Sequence, residues 1–155
     1  MPHAFTVSAV IPASPREIYD SWLNGRRHAA MTGTSEASAS TRVGGKFIVW
    51  DGYISGRNLE LAPGCKIVQS WRTTEFGAED ADSRIAVSLA KSTRGTKVTL
   101  RHSNVPDTHT TYKTGWGDHY FAPMKAYFGA LAAKTKPAKA KPKAKPKAAK
   151  KMAKK

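Results

Sequence analysis

The stretch that decides the fold is TYKTGWGDHYFAPMKAYFGALAA, residues 111–133. Large apolar side chains recur in it at spacings of three and four, the period of one face of an α-helix. They are Trp116, Tyr120, Met124, Tyr127, Phe128 and Leu131. This face is broad enough to lie across a β-sheet. We expect one long helix, loosened near its start by Gly117 and kinked at Pro123, because proline removes a helix hydrogen bond.

Upstream of this helix, short β-type runs separated by turn signals predict an antiparallel meander. The predicted strands are residues 5–11, 46–50, 53–61, 65–72, 84–90 and 96–102. Asp51-Gly52 is the signal of a tight hairpin. A helix is predicted to start after the first strand, at Ser14, Pro15 and Glu17. We expect it to end at Gly25. Residues 26–32 suit a second short helical turn. This order predicts an α+β fold with the helices on one face of the sheet.

Several motifs occur in the order found in one known family. They are HAAMTG (28–33), VGG (43–45), WDGYISG (50–56), IVQSWR (67–72), TKVTLRHSNVP (96–106), GW (115–116) and YFAPMKAYF (120–128). Over residues 5–131 the chain resembles the Hsp90-ATPase-activator-homologue family of the START-like, helix-grip (SRPBCC) superfamily. The resemblance implies a domain over residues 1–133, in which an antiparallel sheet wraps around a long C-terminal helix and leaves an apolar cavity. It also implies an Hsp90-type chaperone as a candidate partner.

Aromatic side chains are the best candidates for a binding site. Six large side chains could line one interior: Trp22, Trp50, Trp71, Trp116, Tyr120 and Met124. Such a set either fills a packed core or lines a cavity for a hydrophobic small molecule. Gln69, Arg72 and His102 are candidates for the few polar groups that would orient a ligand. A carrier or an enzyme that uses this cavity is therefore an alternative to a simple binding module.

The sequence contains residue types that occur in catalytic and metal sites, but their spacing does not match such sites. The five histidines lack the i, i+4 spacing and the Cys-x-x-Cys partners of common metal sites. His102 is expected to be a hydrogen-bonded structural residue, and the acidic residues between Glu75 and Asp82 suggest a solvated loop. We therefore predict a protein that is not an enzyme and that uses neither a metal nor a cofactor.

The cysteine content and hydropathy indicate where the protein works. Cys65 is the one cysteine, so an intrachain disulfide cannot form and a cytoplasmic location is expected. Its place in an apolar strand predicts a small buried thiol. No stretch is long and apolar enough for a membrane helix, and residues 1–12 do not resemble a signal peptide.

The last 22 residues carry most of the excess charge. The chain has a formal charge of +15, but residues 1–133, with 15 basic and 11 acidic residues, carry only +4. Residues 134–155 form a tail of Lys, Ala and Pro similar to the tails of linker histones and bacterial histone-like proteins. Its lysines are Lys134, Lys136, Lys139, Lys141, Lys143, Lys145, Lys147, Lys150, Lys151, Lys154 and Lys155.

Repeated proline and like-charge repulsion predict a disordered tail. With no aromatic residue to stack on bases, it should bind DNA or RNA through phosphates, without sequence preference, and associate with the nucleoid. A solubility tail, a polyphosphate binder and an anionic-membrane arm are the alternatives. Because the body carries only +4, spread among acidic residues, we expect binding to be lost with residues 134–155.

Overall fold

Six antiparallel strands form one sheet in the order β1-β6-β5-β4-β3-β2 in the computed structural model, which describes residues 3–106 and 111–135. The strands are β1 (His3–Ile11), β2 (Lys46–Val49), β3 (Ile54–Ala62), β4 (Lys66–Thr73), β5 (Ser83–Ser92) and β6 (Gly95–Val105). The helices are α1 (Pro15–Trp22), α2 (Gly25–Thr32), α3 (Tyr112–Trp116) and α4 (Ala122–Thr135), with a π-helical segment (Gly117–Phe121) between α3 and α4. The predicted α+β, helix-grip architecture is confirmed.

One face of the sheet is buried by the helices. Ile85, Val87, Val98 and Leu100 alternate with outward-facing residues along β5 and β6 and are fully buried. Side chains of the C-terminal helix close the core from the other side, and Met124 is also fully buried. Each such side chain contributes about 1.5–3 kcal/mol to folding, so the apolar stripe of the last helix holds the two layers together.

The first two helices follow their capping residues. Ser14 Oγ accepts a hydrogen bond from the Glu17 backbone N–H at 3.1 Å, as the sequence predicts. Gly25 does not stop this helix: α1 ends at Trp22, and Gly25 begins α2. The physical reason is Asn24, whose Oδ1 caps the new helix by accepting the Arg27 N–H at 3.0 Å.

The predicted irregularity in the long helix is a π-helical turn. In this segment the Ala122 N–H bonds to the Gly117 carbonyl, five residues earlier, instead of four. Pro123 follows directly after this turn, at the second residue of α4. The sequence located the break, between Gly117 and Pro123, but not its form.

One local prediction, the buried Cys65, is wrong, and a second, the solvated acidic loop, is correct but incomplete. Cys65 is exposed, not buried, because it belongs to a turn in which its own N–H bonds to the Ala62 carbonyl. The acidic loop is organised around a cation. Arg72 donates to Asp82 Oδ1 at 2.7 Å and to the Gly77 carbonyl at 2.9 Å, and it covers the ring of Phe76.

Candidate functional site: an aromatic cavity

A cavity of about 360 Å³ lies between the sheet and the start of the C-terminal helical region. Ligand pockets commonly fall between about 300 and 1,000 Å³, so this space suits one small molecule. Its lining comes from the β2–β3 turn, from β4 and from the helical region. The lining residues are Trp50, Tyr53, Ile54, Trp71, Thr111, Tyr112, Thr114, Gly115, Trp116, Asp118, His119 and Tyr120.

Four of the six predicted site residues line this cavity: Trp50, Trp71, Trp116 and Tyr120. The structure places the other two, Trp22 and Met124, in the core and outside the lining. Trp22 lies behind the wall, with its ring 5.3 Å from that of Tyr120. The structure therefore divides the aromatic set between the packed core and the lining of this space.

The three polar side chains predicted to orient a ligand, Gln69, Arg72 and His102, hydrogen-bond to other residues of the fold and do not line the cavity. Gln69 accepts the Trp22 indole N–H at 3.2 Å and donates to Asn58 Oδ1 at 2.9 Å, so it stabilises the core. Arg72 is occupied by the acidic loop, as described above. His102 is buried beneath the cavity wall and, as predicted, hydrogen-bonded.

His102 fixes Trp116 through a hydrogen-bonded chain. The Trp116 indole N–H donates to His102 Nδ1 at 3.1 Å, so the proton of the ring is on Nε2. That Nε2–H donates to Ser83 Oγ at 2.8 Å, and the Ser83 hydroxyl donates to the Trp71 carbonyl at 2.6 Å. Burial lowers the pKa of His102 to about 3, with His3 adding a smaller effect. The neutral imidazole therefore links two tryptophans of the cavity wall.

A second buried histidine fixes Tyr120. His28 Nδ1 lies 2.9 Å from the Trp22 carbonyl, which can only accept, so Nδ1 carries the proton. His28 Nε2 consequently accepts the Tyr120 hydroxyl proton at 2.6 Å. Burial lowers the pKa of His28 to about 4 and raises the pKa of Tyr120. Both groups stay neutral near pH 7, and the Tyr120 ring is held in one orientation.

Trp50 reaches the cavity from a strained turn. Its φ of 55° and the φ of 56° at Asp51 are left-handed values, which a bulky side chain rarely adopts. The hairpin loop spans residues 50–53, between the paired Val49 and Ile54, so the predicted Asp51-Gly52 pair lies at its centre. Asp51 Oδ1 anchors it by accepting the backbone N–H groups of Ser35 at 3.0 Å and Glu36 at 2.6 Å. Strain that is held this firmly is typical of functional sites.

The Trp50 indole N–H is buried and has no hydrogen-bond partner in the described structure. A buried donor without an acceptor costs about 1–3 kcal/mol. The indole ring lies edge-on to the His119 ring, at 5.6 Å and 82°. Trp50 thus combines backbone strain with an unsatisfied donor, and packing of the core requires neither.

The rim of the cavity is polar. Asp118 and His119 are exposed on the π-helical segment, and Tyr53 donates its hydroxyl to Glu75 Oε1 at 2.8 Å. Burial and this bond raise the pKa of Tyr53. Within the described residues, no group of three His, Cys, Asp or Glu side chains could hold a metal ion. The arrangement can enclose an apolar ring and leave a polar edge at the opening.

Some lining residues, and one residue that supports the wall, were absent from the sequence prediction. Tyr112 continues the apolar stripe one turn before Trp116, so extending the i, i+4 series backwards would have found it. His28 begins the HAAMTG motif, but its bond to Tyr120 joins positions 92 residues apart. Asp118 and His119 face the cavity because of the π-helical turn, which no periodicity in the sequence signals.

The fold and cavity define a START-like, helix-grip protein, and comparison with known proteins identifies its family. The family model described as Activator of Hsp90 ATPase homolog 1-like protein matches residues 12–129. The chain belongs to this family.

Three relatives illustrate the range of the family. The activator of 90 kDa heat shock protein ATPase homolog of Dictyostelium discoideum is 30% identical over 105 residues, which cover 66% of this chain and 27% of that protein. The chain thus spans about a quarter of that relative's length. An HSP90 activator from Plasmodium falciparum gives a TM-score of 0.71 at 23% identity, over 82% of this chain and 96% of the other. The Aha1 dimer from Colwellia psychrerythraea gives 0.66 at 19%, over 80% and 95%. At these identities the two structures show a shared fold.

No helix in residues 3–106 or 111–135 is long and apolar enough to cross a bilayer. The predicted boundary between residues 133 and 134 stays a prediction, and α4 continues to Thr135. The tail from Lys136 onwards lies outside the described residues.

Proposed function

We propose that the chain is a non-enzymatic binding module whose cavity holds one apolar, ring-containing small molecule. The observation that carries this proposal is the aromatic lining of a 360 Å³ space by Trp50, Trp71, Trp116 and Tyr120. Aromatic walls offer large apolar contact areas and favour flat ligands, which can stack on them or meet their edges. Among hydrophobic small molecules, planar ones are therefore the proposed ligands.

The construction of the walls supports this proposal. Two buried neutral histidines fix Trp116 and Tyr120, and an anchored, strained turn presents Trp50. A wall that is rigid before binding loses little conformational entropy when a ligand enters. The π-helical turn beside the cavity is a further sign, because such turns occur frequently at functional sites.

Native mass spectrometry tests the proposal with 1-naphthol, a planar apolar probe with one hydroxyl. The proposal predicts a one-to-one adduct that dissociates when the probe is diluted. It would be wrong if neither 1-naphthol nor any molecule carried over from the producing cells bound with defined stoichiometry.

A second function is proposed for the tail, supported by eleven lysines and no acidic residue in residues 134–155. If half to all of these lysines contact phosphates, a plot of the logarithm of the binding constant against the logarithm of the salt concentration should have a slope of about −5 to −10. Binding of DNA and RNA with equal affinity would support sequence-independent phosphate contacts. A slope near zero would contradict them. The cytoplasmic, nucleoid-associated location remains a prediction that depends on this tail.

An Hsp90-type chaperone is the third candidate, favoured by the names of the relatives. The chain covers only 27% of the curated relative, so the activity of that whole protein is a proposal for this one. The test is the ATPase rate of the Hsp90 homologue from the same cells, with and without this chain. An unchanged rate and the absence of a complex would exclude this candidate.

A further inference from the structure

The outer face of the sheet, opposite the helices, carries five exposed cations. They are Lys46, Arg57, Arg84, Lys97 and Arg101, which alternate with buried inward-facing residues along β2, β3, β5 and β6. None forms an ion pair with an acidic residue within the described parts of the chain. We propose that this basic sheet face binds the phosphate backbone of a nucleic acid together with the lysine tail.

The strand register places most of these cations in one line across the sheet. Lys46 is opposite Arg57, Ser70 is opposite Arg84, and Arg84 is opposite Ser103. The Arg57 backbone N–H bonds to Ser70 Oγ, which joins the two halves of the row. Because neighbouring strands lie about 4.8 Å apart, the row from β2 to β6 spans about 19 Å.

Arg101 extends this row to a second cluster. It is opposite Ala86, two residues along β5 from Arg84, so the two arginines are diagonal neighbours about 7–8 Å apart. Arg57 and Arg84, the facing members of the Lys46–Arg57 and Arg84–Arg101 pairs, are separated by two strand spacings, or about 10 Å. This separation is close to the width of a DNA major groove, about 12 Å, so each pair can meet the phosphates of a different strand.

The cations on this face lower the stability of the sheet. Lys46 and Arg57 are like charges directly opposite each other on one face, an arrangement that destabilises a sheet. The acidic residue of the outer strand face, Glu60, is paired with Lys66, and Asp82, the residue before β5, is paired with Arg72. The net charge of the body therefore conceals a local excess of cations on this face, although basic and acidic residues are paired elsewhere, as at Arg16 and Asp20.

The chemistry of the face favours a polyphosphate backbone. Its central positions are small or hydroxyl-bearing, such as Ser70, Ser88 and Thr99, and its outward strand positions include no aromatic side chain for insertion into a bilayer or stacking on bases. The tail is likewise predicted to contact phosphates and not to stack on bases. The identity of this partner rests on the proposed function of the tail, whereas the face itself is independent of the tail.

The test uses full-length variants and a matched control. The face variant carries Arg57→Gln, Arg84→Gln and Arg101→Gln. The control carries Arg26→Gln, Lys113→Gln and Lys125→Gln, three exposed cations on α2, α3 and α4, so both lose the same charge. A third variant has all eleven tail lysines changed to glutamine. Each is titrated with a 20-base-pair DNA duplex over a range of salt concentrations.

The proposal predicts that the face variant has a salt slope less steep than the wild type by about 2–3, since each lost phosphate contact removes about 0.9. The helix-side control should keep the wild-type slope to within about 1. The tail variant should retain weak binding that the additional face substitutions abolish.

Equal slopes for the face variant and the control would overturn the inference. If the tail variant then bound no DNA, the tail proposal would stand and this one would fail. If the tail variant instead bound like the wild type while the face variant did not bind, the tail proposal would fail and this one would stand. If the face substitutions weakened binding only to phosphatidylserine-containing vesicles, the face would be a lipid surface and the inference would be wrong.

Discussion

Trp116 donates its indole N–H to Nδ1 of His102 at 3.1 Å, and both side chains are buried beside the cavity. This bond joins the helical region to the sheet and fixes the tautomer of the histidine. It also shows how the wall is built: an aromatic ring faces the ligand space, and a neutral histidine behind it holds the ring. Tyr120 and His28 repeat the arrangement one turn along.

Substitution of Trp116 should separate its packing from its hydrogen bond. Trp116→Ala removes a large buried side chain and should lower the free energy of unfolding by about 3–5 kcal/mol. Trp116→Phe retains an aromatic ring but leaves His102 Nδ1 without its donor, so we expect a smaller loss of about 1–3 kcal/mol. Urea denaturation of the three proteins measures both. A loss below about 1 kcal/mol for the alanine variant would mean that Trp116 is not a core residue.

Stability should fall as the pH drops below about 6.5. The pKa values of His28 and His102 are lowered in the folded protein, to about 4 and about 3, whereas an unfolded histidine titrates near 6.5. Between these values the unfolded chain binds more protons, so each histidine destabilises the fold by about 1.4 kcal/mol per pH unit as the pH falls.

Denaturation at several pH values between 7 and 4.5 checks this dependence. His102→Gln should lose about half of the histidine contribution to the pH dependence of the free energy of unfolding. Its stability at pH 7 should also be lower than that of the wild type. His119→Asn, which changes an exposed histidine, should retain the whole slope. An unaltered slope in His102→Gln would show that this imidazole is not held neutral by the fold.

Gly56 is required by a close approach between strands. A Cβ at this position would collide with the Ser70 carbonyl oxygen and with the ring of Phe47. Gly56→Ala should therefore destabilise the sheet by about 1–3 kcal/mol, as overpacking of a core does. Gly117→Ala is the control, because a Cβ there meets no atom within 4 Å. Equal thermal stability of the two variants would contradict the crowding at Gly56.

Most of the fold could be predicted from the sequence because its signals are local. The capping residues Ser14 to Glu17, the turn glycines and the stripe from Trp116 to Phe128 each report on neighbours within a few residues. The last helix adds a tertiary signal, since a stripe this broad requires a sheet to cover it. The motifs then assigned the family, and the family model confirms that assignment.

The cavity was harder to predict because it depends on contacts between distant segments. Nothing local to Trp22 or Trp50 in the sequence indicates that the first lies in the core and the second lines the cavity. The strained turn, the π-helical segment and the two histidine bonds all arise from packing between the layers. The basic sheet face depends on register between strands, which net charge does not reveal.

Filling the aromatic cavity from within tests whether it holds a ligand. Gly115 belongs to the lining, and a Cβ added there would meet only His119 Cδ2, at 3.9 Å. Gly115→Leu should therefore occupy the space without harming the helix, because leucine has the higher helix propensity. Gly117→Leu makes the same change at a helical position outside the lining.

The measurement is a titration of the three proteins with 1-naphthol, monitored by tryptophan fluorescence, with thermal stability recorded in parallel. We predict at least a tenfold loss of affinity for Gly115→Leu, equivalent to about 1.4 kcal/mol, and affinity close to wild type for Gly117→Leu. A folded Gly115→Leu protein that bound 1-naphthol as tightly as the wild type would contradict a ligand site in this cavity.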